Sequence, residues 1–307
     1  MDIFLQQIIN GLVQGSVYAL VALGYTMVYG ILGLINFAHG EVVMVGAMAA
    51  LSASAALLAA GVSAALVLPL SLAAAVLVCM ALGYGIERIA YRPLRSAPRL
   101  APLITAIGVS IVLQNLAMMI WGREYHAFPA LLPNTPHAIG GAAISTVQIV
   151  IVLTALAMMA GLLLLVQRTR LGRAMRAVAE NPAAATLMGV NINAVVSQTF
   201  MIGSALAAVA GLMVSANYGI VHYYMGFILG LKAFTAAVLG GIGNLRGAML
   251  GGVLLGLIES LGAGYIGDLT GGVIGSNYQD VFAFFVLIAV LIFRPSGLLG
   301  ERVAERA

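Results

Sequence analysis

Charge is what this sequence has least of. Asp, Glu, Lys and Arg make up 8% of its 307 residues, against about 25% in an ordinary soluble domain. With 14 basic and 10 acidic side chains it cannot clothe a globule of this size in charge, which excludes soluble enzymes, nucleic-acid binders and disordered chains. Lysine occurs once, as Lys232 between Leu231 and Ala233, so the Gly-Lys-Ser/Thr ending of a phosphate-binding loop is absent and no nucleotide site exists in the chain. Cysteine also occurs once. Cys79 lies in an apolar run, which rules out an intrachain disulfide and suits a small buried residue. The four histidines, at 39, 126, 137 and 222, have no metal-ligand spacing, and neither GxSxG nor HExxH occurs, so nothing supports an enzyme, a catalytic residue or a bound metal.

What is present is apolar length. Hydrophobic residues make up 62% of the chain, and mean hydropathy is +1.08. Residues 3–40, 42–86, 100–122, 125–167 and 181–231 contain no charged side chain. A helix crosses the hydrocarbon core with about 20 residues, so each run holds one or two spans. The run LVLPLSLAAAVLVCMALGYGI shows none of the alternation of a membrane β-strand. The expected fold is therefore an all-α polytopic membrane bundle of eight to ten helices in one domain over 1–307. Candidate spans are 8–30, 42–60, 66–86, 103–121, 147–166, 195–216, 226–243, 248–266 and 281–293, with a break or re-entry at 31–41.

Arginine orients the bundle. Arg88, Arg92, Arg95 and Arg99 fall in one loop (about 87–102) and Arg168, Arg170, Arg173 and Arg176 in another (about 167–194), while Arg294, Arg302 and Arg306 mark the C-terminus. The positive-inside rule places these segments in the cytoplasm and the loop 122–146, where Arg123 is balanced by Glu124, outside. Three spans before Glu87 put the N-terminus outside. Its opening MDIFLQQ carries an acid and no base, unlike a cleavable signal peptide.

Four segments stand out. In the stretch Glu180, Asn181, Pro182, Ala183, Ala184, Ala185, Thr186, Leu187, Met188, Gly189, asparagine can cap a helix, proline suits its first position, and Gly189 can supply a left-handed stop. Two turns of helix are marginal in water, so this one needs a packing partner: either its own bundle or a cytoplasmic protein. In the segment 24–41, Gly24, Gly30 and Gly33 precede Asn36, His39 and Glu41, which reads as an interrupted helix beside a cavity or as an interfacial turn. In 240–256, Gly243, Gly247 and Gly251 recur every four residues, as do Gly252 and Gly256, forming a smooth packing strip; Gly11 and Gly15 are read alike. The cluster Gly240–Gly243 with Asn244 and Arg246 also suits a break. Ionisable groups within or beside spans are sparse: Glu41, Lys232, Arg246, Glu259, His39 and His222. His39, Glu41 and the amides Asn36, Gln114, Asn115 and Asn217 are candidates for the translocation path, with structural hydrogen bonding at a helix end or between helices as the alternative.

GYTMVYGILGLINFAHGEVVMVGA, ENPAAATLMGVNI and KAFTAAVLGGIGNLRGAMLGGVLLGLIES together resemble the LivH-type permease family of branched-chain amino-acid ABC importers. The likeness runs from about residue 5 to 300 and is weakest over 52–75 and 122–146. It implies a bacterial inner-membrane, multi-pass subunit that pairs with a related LivM-type permease and two cytoplasmic LivG/LivF-type ATPases, which bind the ATP. Cargo would arrive from a periplasmic amino-acid-binding protein. The resemblance also implies that Glu180 to Gly189 contact the ATPase. Leucine, isoleucine and valine are the expected cargo; another amino acid, an amide or urea is the alternative, although urea-type relatives carry an extra N-terminal domain that this chain lacks. An ion-coupled carrier and a purely structural membrane subunit are the other readings.

Overall fold

The computed structural model describes residues 2–95, 97–98, 100–271, 275 and 278–300; Arg99, Arg302 and Arg306 lie outside the described residues. Helices are α1 (Asp2–Leu32), α2 (His39–Ala59), α3 (Ala64–Ile86), α4 (Leu100–Trp121), α5 (Thr146–Arg168), α6 (Arg170–Glu180), α7 (Pro182–Leu187), α8 (Ile192–Tyr218), α9 (Met225–Gly240), α10 (Leu245–Leu269) and α11 (Gln279–Phe293). Among the described residues, seven of these are long and apolar enough to cross a membrane, and α9 and α11 are shorter apolar helices. Each of the nine sequence-predicted spans falls on one of these. An α-helix closes its hydrogen bonds within itself, and that is why such apolar runs take this form.

The loop between α4 and α5, for which the sequence suggests no element, contains an antiparallel hairpin, β2 (Pro136–Ile139) with β3 (Ala142–Ser145). Its β1 (His126–Ala127) pairs with β4 (Ile220–Val221). Gln6 exchanges hydrogen bonds with the backbone of Ala143, tying the start of α1 to this end. At the opposite end Arg95 donates to Asn193 Oδ1 at 2.7 Å, and Gly243 lies beside Gly30. All three arginine groups, as far as they are described, gather at that second end.

Two helix triplets are threaded in opposite senses. In the first, α1 runs from the hairpin end to the arginine end, followed by α2 and α3. In the second, α8 starts at the arginine end, near Asn193, and finishes where Gly219 O accepts from Phe128 N–H, followed by α9 and α10. The first member of each triplet packs on the last of the other. Gly11 and Gly15 of α1 lie on Leu257 and Val253 of α10, and Gly83 of α3 lies on Ser204 of α8. The first members touch at Gly24 and Gly203, and the second members at Gly40 and Gly226. This is the inverted-repeat arrangement in which membrane carriers place irregular backbone near the centre.

The second member of each triplet begins inside the bundle. The 31 residues of α1 span roughly 46 Å. The chain then turns at Gly33, with φ 63°, and residues 33–38 return without helix. There α2 starts at His39, whose imidazole sits against Gly24, well back along α1. The expected interruption at 31–41 is thus real. Likewise α9, at 16 residues, is roughly 24 Å long and short of the ~30 Å hydrocarbon thickness.

Small residues set the spacing between helices. Gly252 lies on Ala19, Gly256 on Gly15, Gly247 on Gly240, and Gly251 on the carbonyl of Ala236. Gly243 does not join this strip. It occupies the break between α9 and α10 with φ 97°, so its glycine is required by backbone conformation and not by helix packing. The four-residue period misled because it ran through a turn.

Candidate functional site

Two regions carry the residues singled out by sequence. The first is at the arginine end. Thr169 caps α6 by accepting from Gly172 N–H at 3.0 Å. The side chains of Arg170, Arg173 and Arg176 are exposed while Met175 and Val178 are buried, so α6 is an amphipathic helix that the sequence reading overlooked despite its 3.6-residue period. Glu180 ends it, exposed. Asn181 then caps α7, accepting from Ala184 N–H at 3.0 Å, and Pro182 occupies the first turn. At the far end Gly189 has φ 82°. Its N–H donates to Thr186 O, and Val190 N–H donates to Ala185 O, each at 3.0 Å, a complete Schellman stop.

Of this short helix only Ala185 is buried; Ala183 and Ala184 face outward. Leu187 is 89% and Met188 84% exposed. Two large apolar side chains therefore project from a helix whose backbone is fixed at both ends. A clip anchors the neighbouring loop. Buried Glu87 receives Arg92 at 2.8 Å, Ser197 Oγ at 2.7 Å and Arg95, joining the end of α3 to α8.

The second region is the crossing of α2 and α9. Glu41 is 1% exposed; its Oε1 accepts from Gln114 at 2.6 Å and Ser110 at 3.2 Å on α4. Among the described residues its Oε2 has no hydrogen-bond partner, and neither does His39 Nε2. A cavity of about 90 Å³ is lined by Tyr25, Phe37, Glu41, Ser110, Gly226 and Gly230, among others. Asn36 stands apart from it. Its Oδ1 accepts from Ala38 N–H and from Tyr91 Oη, both at 3.1 Å, fixing the non-helical turn. Asn115 is exposed and donates to Ile111 O within α4.

Asn217 lines a separate cavity of about 230 Å³, together with Gln14, Tyr18, Met225 and Lys232. Lys232 there pairs with Glu259 at 3.2 Å and Asp280 at 2.7 Å. Glu259 also accepts from Tyr18 at 2.7 Å and Gln14 at 3.0 Å. The sequence names Lys232 and Glu259 separately as rare charges; joining them required knowing that α9 and α10 fold back on each other. His222 and Arg246 belong to neither region. His222 bonds to Arg123 O in the loop, and Arg246 is exposed at the start of α10.

Residues 7–291 match the family model described as branched-chain amino acid transport system / permease component. The chain is 49% identical to the high-affinity branched-chain amino acid transport system permease protein BraD of Pseudomonas aeruginosa, covering 99% of this chain and 98% of that protein. It is 46% identical to LivH of Escherichia coli K12, a permease protein of the same description, over 99% and 97%. A probable LivH of Methanocaldococcus jannaschii is 28% identical over 97% of this chain and 94% of its own length. Comparison with solved structures gives no match. A helical membrane bundle of this order, matched over nearly its whole length, belongs to the family of permease components of branched-chain amino acid transport systems.

Proposed function

We propose that the chain moves leucine, isoleucine and valine inward across the bacterial inner membrane as the passive gate of an ABC importer. In this reading ATP is bound by two separate LivG/LivF-type subunits, a LivM-type permease completes the path, and a periplasmic binding protein delivers the cargo. The C-terminus and the arginine end face the cytoplasm.

Exposure at α7 carries the proposal. Leu187 and Met188 are almost fully exposed on a helix held at both ends, at the end where basic residues concentrate. Apolar side chains presented this way suit insertion into a cleft on a soluble partner. The segments Glu180 to Gly189 and α6 then transmit closure of the ATPases to α5 and α8. Replacing both Leu187 and Met188 with Glu tests the assignment. Copurification of the ATPases is expected to fall about tenfold or more while the permease pair still assembles. Unchanged copurification with unchanged ATP-driven leucine uptake overturns it.

A further inference from the structure

We infer that Glu41 is the point at which the chain holds the primary ammonium group of an amino acid in transit. This rests on the cargo reading above and adds to it a residue and an atom. Glu41 Oε1 is already bonded to Gln114 and Ser110, which fixes the carboxyl group against α4. The other oxygen is buried and unpartnered and belongs to a residue lining the cavity at the α2–α9 crossing. Buried polar atoms in native proteins are nearly always satisfied, so an orphan acceptor on a residue that lines a cavity marks a place where a donor arrives. Gly226 packs closely beside it, since a methyl group there would stand 2.8 Å from Oε2.

The surroundings select among donors. Tyr25 and Phe37 line the same cavity as Glu41, and aromatic rings beside a carboxylate suit an ammonium group. The cavity, at about 90 Å³, takes a head group and not a whole leucine. Ile107, Phe227 and Leu231 line it as well and are 46%, 47% and 42% exposed, giving an apolar tail a surface to lie on. Both α2 and α9 begin at this crossing without a side-chain cap. Their positive ends suit the carboxylate of a zwitterion.

The test uses the complete reconstituted importer with binding protein and ATP, reading uptake of radiolabelled leucine. Glu41→Gln is expected to lower uptake at least about tenfold, because a charge-assisted hydrogen bond is lost, with ATPase copurification unchanged. Asn115→Ala, an exposed position on α4 whose amide bonds only Ile111 O within its own helix, is expected to leave uptake within about twofold. A second measurement needs no variant. Carbodiimide labelling of Glu41 in the native complex, mapped by mass spectrometry, is expected to be slowed by leucine and by 3-methylbutylamine but not by 4-methylpentanoate. Uptake by Glu41→Gln within about twofold of the unaltered chain overturns the assignment. So does labelling that the amine does not slow, an absence of labelling, or protection by sodium or potassium alone, which would make Glu41 an inorganic-cation site. If the unaltered importer fails to accumulate leucine, the cargo reading fails instead, and amine protection of Glu41 is judged separately.

Discussion

Gly40 and Gly226 meet backbone to backbone where the two interior helix starts cross. A methyl group on either would stand 2.5 Å from the other's carbonyl oxygen. Neither side has a flexible atom to give way, since the obstacle is main chain. Gly226→Leu is therefore expected to force α2 and α9 apart and to destabilise the bundle by about 3 kcal/mol or more. Thermal unfolding in detergent reads this directly, and an unshifted midpoint refutes it.

Gly189→Val is expected to cost about 1–2 kcal/mol locally, because a β-branched residue resists the left-handed backbone that the Schellman stop requires. The disturbance stays in α7, which makes few contacts with the bundle. Copurification of the ATPases should weaken while the unfolding midpoint of the membrane helices does not move.

Lys232 and Glu259 are unequal partners. Lys232→Met leaves two carboxyl groups, Glu259 and Asp280, without their cation and is expected to cost about 3–5 kcal/mol. Glu259→Gln leaves Lys232 still paired with Asp280 at 2.7 Å, and about 1–3 kcal/mol is expected. Denaturant unfolding of the two variants checks the order; equal losses contradict this account of the cluster.

Glu87→Gln removes the acid on which Arg92 and Arg95 converge at the junction of α3 and α8. The arginine side chains are 30% and 20% exposed and can rehydrate, so the expected cost is about 2–3 kcal/mol. Faster proteolysis of the loop after α3 is the accompanying sign.

The membrane spans were legible because hydrocarbon imposes one answer on a long apolar run, and the caps of α7 because Asn-Pro and Gly act through local backbone chemistry. The interior start of α2 was half visible. Glycines and the Asn36–His39–Glu41 knot announced an interruption, yet nothing local said that His39 would lie against Gly24. Gly243 shows the limit of periodicity, since a four-residue spacing cannot distinguish a helix face from a turn that happens to keep step. Contacts such as Glu41 with Gln114, or Lys232 with Glu259, depend on tertiary folding between distant helices, and a linear pattern carries no signal for them. The amphipathic α6 is readable in principle from its 3.6-residue period, but the same arginines also carry the orientation signal, and the two coincide in one short stretch.

A strut that is pinned at both extremities behaves differently from a frayed one. With Asn181 closing one end of α7 and Gly189 locking the other, a load applied at Leu187 has no slack coil to unwind. In the proposed role such a load moves α7 as one body against its joints with α6 and α8.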